Sequence, residues 1–255
     1  MDYQKFSEIS PCDYAGTLKR ESFMDAGMKE LWPSIPRISG PAFTVNMVAG
    51  ENLALHRAIY EAPVGSIIVA QSNTMDYAVI GGNVAMIAYK RGIVGFVIDG
   101  VVRDIAEIRE NKIPVFGRGV LAMPGTKKQA VAVNTPIIAG GINVNPGDII
   151  VADEEGIAVI PKDRAEEIYK ECKEKVKKEA ALSFEEWADR HKKNIDSFYE
   201  WVFVELGNWD WKFCCEWNFF SLITSYGRVW FSKMEIHDLT FIVDETSLFS
   251  GVLNT

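Results

Sequence analysis

The sequence is poor in cysteine and histidine. Its 255 residues include four cysteines and three histidines, and none of them stands in a C-x-x-C pair or an H-E-x-x-H motif, the spacings typical of zinc sites. These counts exclude a disulfide framework of the secreted type, a structural zinc site and a histidine-based transition-metal centre. We therefore expect reduced thiols, and oxygen ligands for any metal ion that the protein uses. The residues concerned are Cys12, Cys172, Cys214, Cys215, His56, His191 and His237.

The sequence also lacks a basic field and a long apolar run. Lysine and arginine number 27 against 35 aspartates and glutamates, and the net charge is −8, which disfavours binding to a phosphate backbone. No stretch approaches the roughly 18 uncharged apolar residues of a membrane span, and residues 1–10 lack the cationic and apolar segments of a signal peptide. We therefore expect a cytoplasmic protein that binds neither nucleic acid nor a membrane.

Short β-branched runs alternate with glycine and proline between Arg37 and Pro161. The runs predict strands at 42–48, 66–70, 93–98, 137–138, 148–151 and 157–160, and helical patterns lie at 52–61 and 83–91. Helices that alternate with strands indicate an α/β fold. The hairpin-like spacing at 136–161 favours a mixed sheet over a purely parallel one.

Two helices are predicted after Lys162. The first has one apolar stripe among dense lysine and glutamate, which is typical of a helix packed on a sheet with its other face in solvent. That stripe consists of Ala165, Ile168, Cys172 and Val176. The second helix runs over 183–199, because Ser183 followed three residues later by Glu186 is a capping-box signal.

The composition changes again beyond Leu206. Five of the seven tryptophans lie between positions 201 and 230, and this segment shows no repeat, no motif and no clear hydrophobic period. We accordingly divide the chain into a domain at 1–207 and an aromatic-rich tail at 208–255. Three interpretations of the tail stay open: a small β-rich element, a partner-binding segment, and a translated stretch never selected to fold.

Two glycines precede the helix predicted at 83–91. Gly81 and Gly82 end one segment and open the helix, so its first backbone N–H groups form a positive end that suits a carboxylate or a phosphate. The alternative is that the glycines only make a tight turn and let the helix approach the sheet. The pattern is neither G-x-G-x-x-G nor a P-loop, which disfavours a nucleotide as the ligand.

Arg103 and Asp104 follow the buried strand predicted at 93–98. Because α/β proteins place functional groups at the carboxyl ends of strands, both are candidate site residues. Asp104 also stands three residues before Glu107, the spacing of a helix N-cap and its reciprocal acid. On spacing alone, helix capping is the favoured role of Asp104, and Arg103 is a surface or interface charge.

Several motifs together resemble the RraA-like family, which includes the class II, divalent-metal-dependent 4-hydroxy-4-methyl-2-oxoglutarate aldolases with oxaloacetate decarboxylase activity. The spacing of Gly82, Arg103-Asp104 and Glu107 resembles the family signature. Further matching segments are GPAFTV at 40–45, VIDG at 97–100, PVFGRG at 114–119, PGD at 146–148 and DEEG at 153–156. The resemblance covers about residues 10–206, and the tail from Gly207 onward resembles no segment of the family.

This resemblance implies a role for each signature residue. Arg103 would neutralise the α-keto oxygen of the substrate as that oxygen becomes an enolate. Asp104 would bind Mg²⁺ or Mn²⁺ directly, and Glu107 would hold the waters of the metal ion. The substrate carboxylate would be held by the backbone amides of Gly81, Gly82, Asn83 and Val84. Asn83 stands where some relatives have an acid, so the resemblance does not assign the proton transfer.

The resemblance also implies a fold and a function. The fold would be a mixed α/β sandwich of the swivelling β/β/α type, assembled as a homotrimer or as a hexamer of two trimers. The function would be that of a lyase that cleaves small 2-keto acids to pyruvate. The main alternative is a non-enzymatic regulator, because some RraA proteins bind and inhibit a ribonuclease. Asp104 and Glu107 favour the enzyme, whereas the aromatic tail favours partner binding. A methyltransferase is disfavoured, because the sequence has no glycine-rich cofactor motif.

Overall fold

The computed structural model describes residues 2–205 and four strands beyond them, with side chains described up to residue 199. The chain forms two compact units, Met1–Ala181 and Leu182–Thr255. The helices of the first unit are α1 (Pro11–Tyr14), α2 (Leu53–Glu61), α3 (Gly82–Lys90), α4 (Ile105–Glu110) and α5 (Ala165–Ala180). Its strands are β1 (Lys29–Glu30), β2 (Ile38–Asn46), β3 (Ile67–Gln71), β4 (Gly95–Val102), β5 (Val115–Val120), β6 (Ile137–Ala139), β7 (Ile142–Val144), β8 (Ile149–Asp153) and β9 (Gly156–Ile160).

The second unit begins with a long helix, α6 (Phe184–Glu205). Its described strands form an antiparallel sheet in chain order and consist of β10 (Asp210–Lys212), β11 (Phe220–Thr224), β12 (Gly227–Phe231) and β13 (Ile242–Val243). The rest of the tail lies outside the described residues, and so do the side chains of its tryptophans. The three interpretations of the tail stay predictions.

A seven-stranded sheet organises the first unit, in the order β1-β5-β4-β3-β2-β8-β9. Strands β2, β3, β4 and β5 are parallel to one another, whereas β1, β8 and β9 pair antiparallel. Strands β6 and β7 form a separate two-stranded hairpin. The sheet is therefore mixed, as the spacing at 136–161 predicts, and the fold class is the mixed α/β class that the sequence predicts.

The sheet is buried on both faces, which explains its continuous apolar strands. In β8, Ile150 and Ala152 belong to one core cluster, which also contains the buried faces of α2, α3 and α4. The intervening Ile149 and Val151 belong to a second cluster with α5 and the segment before α1. Successive side chains of a strand point to opposite faces, and full burial of each such side chain contributes about 1.5–3 kcal/mol.

Most of the predicted elements are confirmed, with shifts of a few residues at their ends. The capping box at the start of α6 is formed, because Ser183 N–H donates to Glu186 Oε2 at 2.8 Å and Glu186 N–H donates to Ser183 Oγ at 3.2 Å. The stripe of α5 packs on the sheet. Strands β1, β5 and β7 were not among the predicted elements. Strand β5 lacks a continuous apolar run because Arg118 lies within it. The Arg118 side chain pairs with Asp25 and Asp99, and these two carboxylates raise its pKa.

Among the helices that the structure describes, none is long and apolar enough to cross a membrane.

Candidate active site

A cleft of about 290 Å³ opens beside the carboxyl ends of the parallel strands. Every segment that follows one of the strands β2 to β5 contributes to its lining, which is the usual place of a site in an α/β sheet. The lining consists of Asn52, His56, Ala78, Val79, Ile80, Gly81, Asn83, Val84, Arg103, Asp104, Pro124, Gly125 and Lys127. The cleft thus contains five of the seven residues that the sequence singled out. Gly82 and Glu107 are not among the lining residues.

Backbone hydrogen bonds hold the loops of the cleft in place. Ala78 connects two of them, because its N–H donates to the Met123 carbonyl at 2.7 Å and its carbonyl accepts from the Gly125 N–H at 3.0 Å. The Arg103 N–H donates to the Ile80 carbonyl at 2.9 Å. The segment before α3 therefore lies between the end of β4, at Val101, and the loop after β5, at Pro124, and it fixes the start of α3 beside Arg103.

Asp104 does not use its side chain to cap α4, although it occupies the N-cap position. Its backbone is left-handed, with φ 56° and ψ 37°, a conformation that aspartate and asparagine tolerate better than most residues. Its carboxylate turns to α3 instead: Oδ2 accepts from the Gly82 N–H at 3.1 Å and from Arg103 Nε at 3.2 Å. The capping role that spacing alone favours is wrong, because the left-handed backbone directs the carboxylate to the cleft.

The two glycines leave room for the two carboxylates. A Cβ atom at Gly81 would overlap the Asp104 carboxylate, and a Cβ atom at Gly82 would overlap the Glu107 carboxylate and lie 3.1 Å from Glu107 Cβ. Neither glycine has a positive φ, so a tight turn does not require them. The close approach of Asp104 and Glu107 to the start of α3 is what requires glycine at these positions.

The start of α3 has one backbone donor already in use. Gly82 N–H belongs to Asp104, whereas Asn83 and Val84 occupy the next positions of the first turn and line the cleft. N–H groups in the first turn have no acceptor within the helix. The helix dipole adds a partial positive charge there, so this turn presents donors suited to an anion in the cleft.

The carboxylates of Asp104 and Glu107 offer only oxygen ligands to a metal ion. Within the described part of the chain no group of three histidine, cysteine, aspartate or glutamate side chains is placed to hold a metal. Magnesium is commonly bound through one or two carboxylates, with waters and substrate oxygens completing its coordination. The donor set therefore fits a hard divalent cation that shares its coordination with a substrate.

A second group of polar residues lines the cleft, and none of them is among the residues predicted from the sequence. Asn52 and His56 come from α2, and Lys127 comes from the loop after β5. We call Asn52, His56 and Lys127 the second wall, and Gly81, Asn83, Val84, Arg103 and Asp104 the signature wall. One signal for the second wall is present in the sequence: Asn52 and His56 stand four residues apart, on one face of a predicted helix that follows a strand.

Glu51 holds the loop that carries Lys127. This carboxylate is buried, with 7% of the residue exposed. It accepts from the Thr126 hydroxyl, from the Lys128 N–H at 2.7 Å and from the Gln129 N–H at 3.3 Å. The bond from Thr126 is the main reason that the pKa of Glu51 lies below its usual value, followed by the bond from Lys128. Two backbone bonds of 2.8 Å add to this, from the Asn52 N–H to the Thr126 carbonyl and from the Thr126 N–H to the Gly50 carbonyl. Loop 124–129 is thus attached to the start of α2 through the Glu51 carboxylate and through the backbone.

The electrostatics of the second wall are set by burial and by one lysine. Desolvation lowers the pKa of His56 from its ordinary 6.5, and the charge of Lys127 lowers it further. At neutral pH the His56 imidazole is therefore neutral, and the positive charge of this wall resides on Lys127.

The chain is similar to a family model and to several known proteins. The family model RraA-like, described as Aldolase/RraA, matches residues 10–159. A protein of Halalkalibacterium halodurans with the provisional name 4-hydroxy-4-methyl-2-oxoglutarate aldolase is 39% identical over 140 residues, which are 54% of this chain and 67% of that protein. The 4-hydroxy-4-methyl-2-oxoglutarate aldolase of Thermus thermophilus is 31% identical over 132 residues, or 49% of this chain and 77% of that protein.

Among solved structures, one similar protein is Streptomyces coelicolor RraAS2, described as an unusual member of the RNase ES inhibitor RraA protein family. Its structure matches with a TM-score of 0.61 and 27% identity, over 69% of this chain and 92% of that one. Proteins named as aldolases and a protein of a ribonuclease-inhibitor family are therefore both similar to this chain.

Proposed function

The chain belongs to the RraA-like family, and from this premise we propose that it is a divalent-metal-dependent lyase. The proposed reaction cleaves 4-hydroxy-4-methyl-2-oxoglutarate and related 2-keto acids to pyruvate, with oxaloacetate decarboxylation as a second activity. One observation carries this proposal: the Asp104 carboxylate turns away from the helix that it could cap and lies in the cleft beside Arg103. A protein that only binds a partner has no need of that arrangement.

The signature wall supplies the groups that a 2-keto acid needs. The first turn of α3, with the Asn83 and Val84 amides, receives the carboxylate next to the keto group. Arg103 donates to the keto oxygen and stabilises the negative charge that this oxygen acquires as the C3–C4 bond breaks. Asp104 orients the Arg103 guanidinium through its bond to Nε.

The proposed cation is Mg²⁺ or Mn²⁺, held by Asp104 directly and by Glu107 through water. When bound, such a cation acts as a Lewis acid on the keto oxygen. The two glycines at the start of α3 keep both carboxylates close to the helix, and the small size of these residues is therefore part of the site.

The test is a pyruvate-release assay with 4-hydroxy-4-methyl-2-oxoglutarate and with oxaloacetate, on chelator-treated protein with and without added Mg²⁺. We expect release only with the metal ion, and we expect Asp104→Asn to reduce turnover by at least about 10²-fold. Asparagine is the matched change, because it tolerates the left-handed backbone and retains an oxygen that can accept from the Gly82 N–H. Turnover without metal, or normal turnover of Asp104→Asn, would contradict the proposal.

A regulator that binds a ribonuclease is the second candidate. The observation that favours it is the exposed apolar face of α6, where Phe184, Trp187 and Phe198 are 75%, 45% and 66% exposed. Contiguous exposed apolar side chains commonly mark interaction surfaces. The measurement is RNA cleavage by a ribonuclease of the E type with and without this protein. Inhibition that is lost when these three residues become serine, with no pyruvate release, would replace the lyase by the regulator.

The proposed assembly is a homotrimer or a hexamer. It is supported by exposed apolar side chains on α2 and α3 and on the segment between α2 and β3, namely Tyr60, Val64, Ile87 and Tyr89. Sedimentation equilibrium measures the assembly directly, and a monomer at micromolar concentration would contradict it.

A further inference from the structure

The second wall contains a buried polar atom that no part of the described chain satisfies. Asn52 is 5% exposed, and its Oδ1 has no hydrogen-bond partner within the residues described. Asparagine at a helix N-cap normally accepts a bond from the first turn, but Asn52 makes no side-chain capping bond in α2. A buried unsatisfied acceptor is costly, and Asn52 lines the cleft, so a donor group of a ligand bound there would relieve this cost.

Lys127 adds an uncompensated charge to the same wall. It makes no ion pair with the residues that the structure describes, whereas Arg103 is already paired with Asp104. The cleft lining contains two permanent cations, Arg103 and Lys127, and one acid, Asp104. After the signature wall has bound a carboxylate and a keto group, one positive charge therefore stays available for a second anionic group.

We propose that the second wall is the subsite for the distal end of a dicarboxylic 2-keto acid, with Lys127 pairing with the carboxylate remote from the keto group. Asn52 Oδ1 accepts a hydrogen bond from the hydroxyl at C4, next to the bond that breaks. His56, four residues further along α2, is a neutral hydrogen-bonding group beside them. This inference rests on the proposed function and assigns residues to its selectivity, by which a dicarboxylate is bound in preference to a monocarboxylate of the same length.

The direct test uses two ligands without a C4 hydroxyl, so that neither is cleaved in a retro-aldol reaction. 2-Oxoglutarate and 2-oxopentanoate have the same carbon chain and differ in whether the distal end is a carboxylate or a methyl group. Calorimetry in Mg²⁺ buffer should show about tenfold tighter binding of 2-oxoglutarate, the size expected for a bond to a charged group. Lys127→Met should remove this preference and leave 2-oxopentanoate binding unchanged.

The neighbouring lysine provides a matched control. Lys128 contacts Glu51 through its backbone N–H, and its side chain is not part of the cleft lining. Lys128→Met should therefore retain the preference for 2-oxoglutarate. Equal binding of the two ligands by the unmodified protein would overturn the proposal. Loss of the preference in both lysine variants would also overturn it, because it would indicate general electrostatics and not a subsite.

The role of Asn52 is tested by comparing two substrates. Oxaloacetate lacks the C4 hydroxyl, so Asn52→Ala should lower kcat/KM for 4-hydroxy-4-methyl-2-oxoglutarate about tenfold more than for oxaloacetate. Equal losses of kcat/KM for both substrates would overturn the contact between Asn52 and the C4 hydroxyl.

If the protein cleaves neither substrate, the proposed function and the Asn52 contact both fail. The carboxylate subsite is then still tested by binding, through the preference for 2-oxoglutarate in the unmodified protein and in Lys127→Met.

Discussion

The two walls of the cleft are assembled in different ways. The signature wall comes from 24 consecutive positions, 81–104, in which α3 and β4 follow one another and bring both ends to the same place. The second wall joins the start of α2 to a loop 75 positions further along the chain, through the bonds of Glu51 to Thr126 and its neighbours. Residues that lie on one short unit leave a recognisable spacing in the sequence, whereas residues joined by contacts between distant segments leave almost none.

The walls also differ in how their charges are satisfied. In the signature wall Arg103 and Asp104 are paired with each other, and glycines make room for the carboxylates. In the second wall Lys127 is exposed and Asn52 Oδ1 has no partner among the described residues. We therefore expect changes in the signature wall to affect turnover, and changes in the second wall to affect binding and selectivity.

The largest effect is expected from Arg103→Lys in the signature wall. Lysine keeps the positive charge but cannot donate in the planar fork of a guanidinium, so turnover should fall about 10²-fold, as for the loss of one transition-state contact. Steady-state kinetics with 4-hydroxy-4-methyl-2-oxoglutarate give this value. Unchanged kinetics in both Arg103→Lys and Arg103→Ala would remove Arg103 from the reaction.

The second-largest effect is expected from a change at Gly82, which tests whether the absence of a side chain there makes room for the Glu107 carboxylate. Gly82→Ala places a methyl group where Glu107 now lies, so we expect the Glu107 side chain to move away and turnover to fall about tenfold. The protein should stay folded, because alanine is a better helix former than glycine. In the Glu107→Ala background the same substitution should have little further effect on turnover, whereas additive losses would contradict the steric explanation.

A smaller effect is expected from Glu51→Gln, which weakens the hydrogen bonds between Glu51 and loop 124–129. The glutamine NH₂ group faces donors that the carboxylate now accepts from, so loop 124–129 should open more often. We expect about fivefold weaker binding of 2-oxoglutarate and faster amide hydrogen exchange in this loop. Glu61→Gln is the control, since Glu61 is exposed and pairs with Arg57 on the surface. Unchanged exchange in the loop would show that Glu51 does not hold it.

The smallest effect concerns the pH dependence of stability. Because the pKa of His56 is lower in the folded chain than its ordinary 6.5, the unfolded chain binds this proton at higher pH than the folded chain does. The free energy of unfolding should therefore decrease as the pH falls below 6.5, and His56→Gln should reduce that decrease. Chemical denaturation at several pH values measures it. Lys127→Met should weaken the effect of His56→Gln, because Lys127 contributes to the shift.

Much of the fold follows from patterns that are local in sequence. Helix α3 has apolar residues at helical spacing, the strands β3 and β8 are short continuous apolar runs, and the capping box at Ser183 lies within four residues. Strand β5 escaped prediction because Arg118 interrupts its apolar run, and its partners Asp25 and Asp99 come from distant positions. The strand can hold this charged residue only because the two carboxylates pair with it, and that pairing exists only in the folded chain.

The sequence by itself determined the mixed α/β class and the Gly82, Arg103-Asp104 and Glu107 spacing, because both depend on neighbours along the chain. Only the tertiary structure decided which way the Asp104 carboxylate points, since its left-handed backbone and the Gly82 N–H settle a choice that the spacing leaves open. The tertiary structure also placed Lys127 beside His56. That proximity depends on the bonds of the buried Glu51 carboxylate and of the neighbouring backbone to loop 124–129, whose residues are distant in sequence and carry no periodic signal.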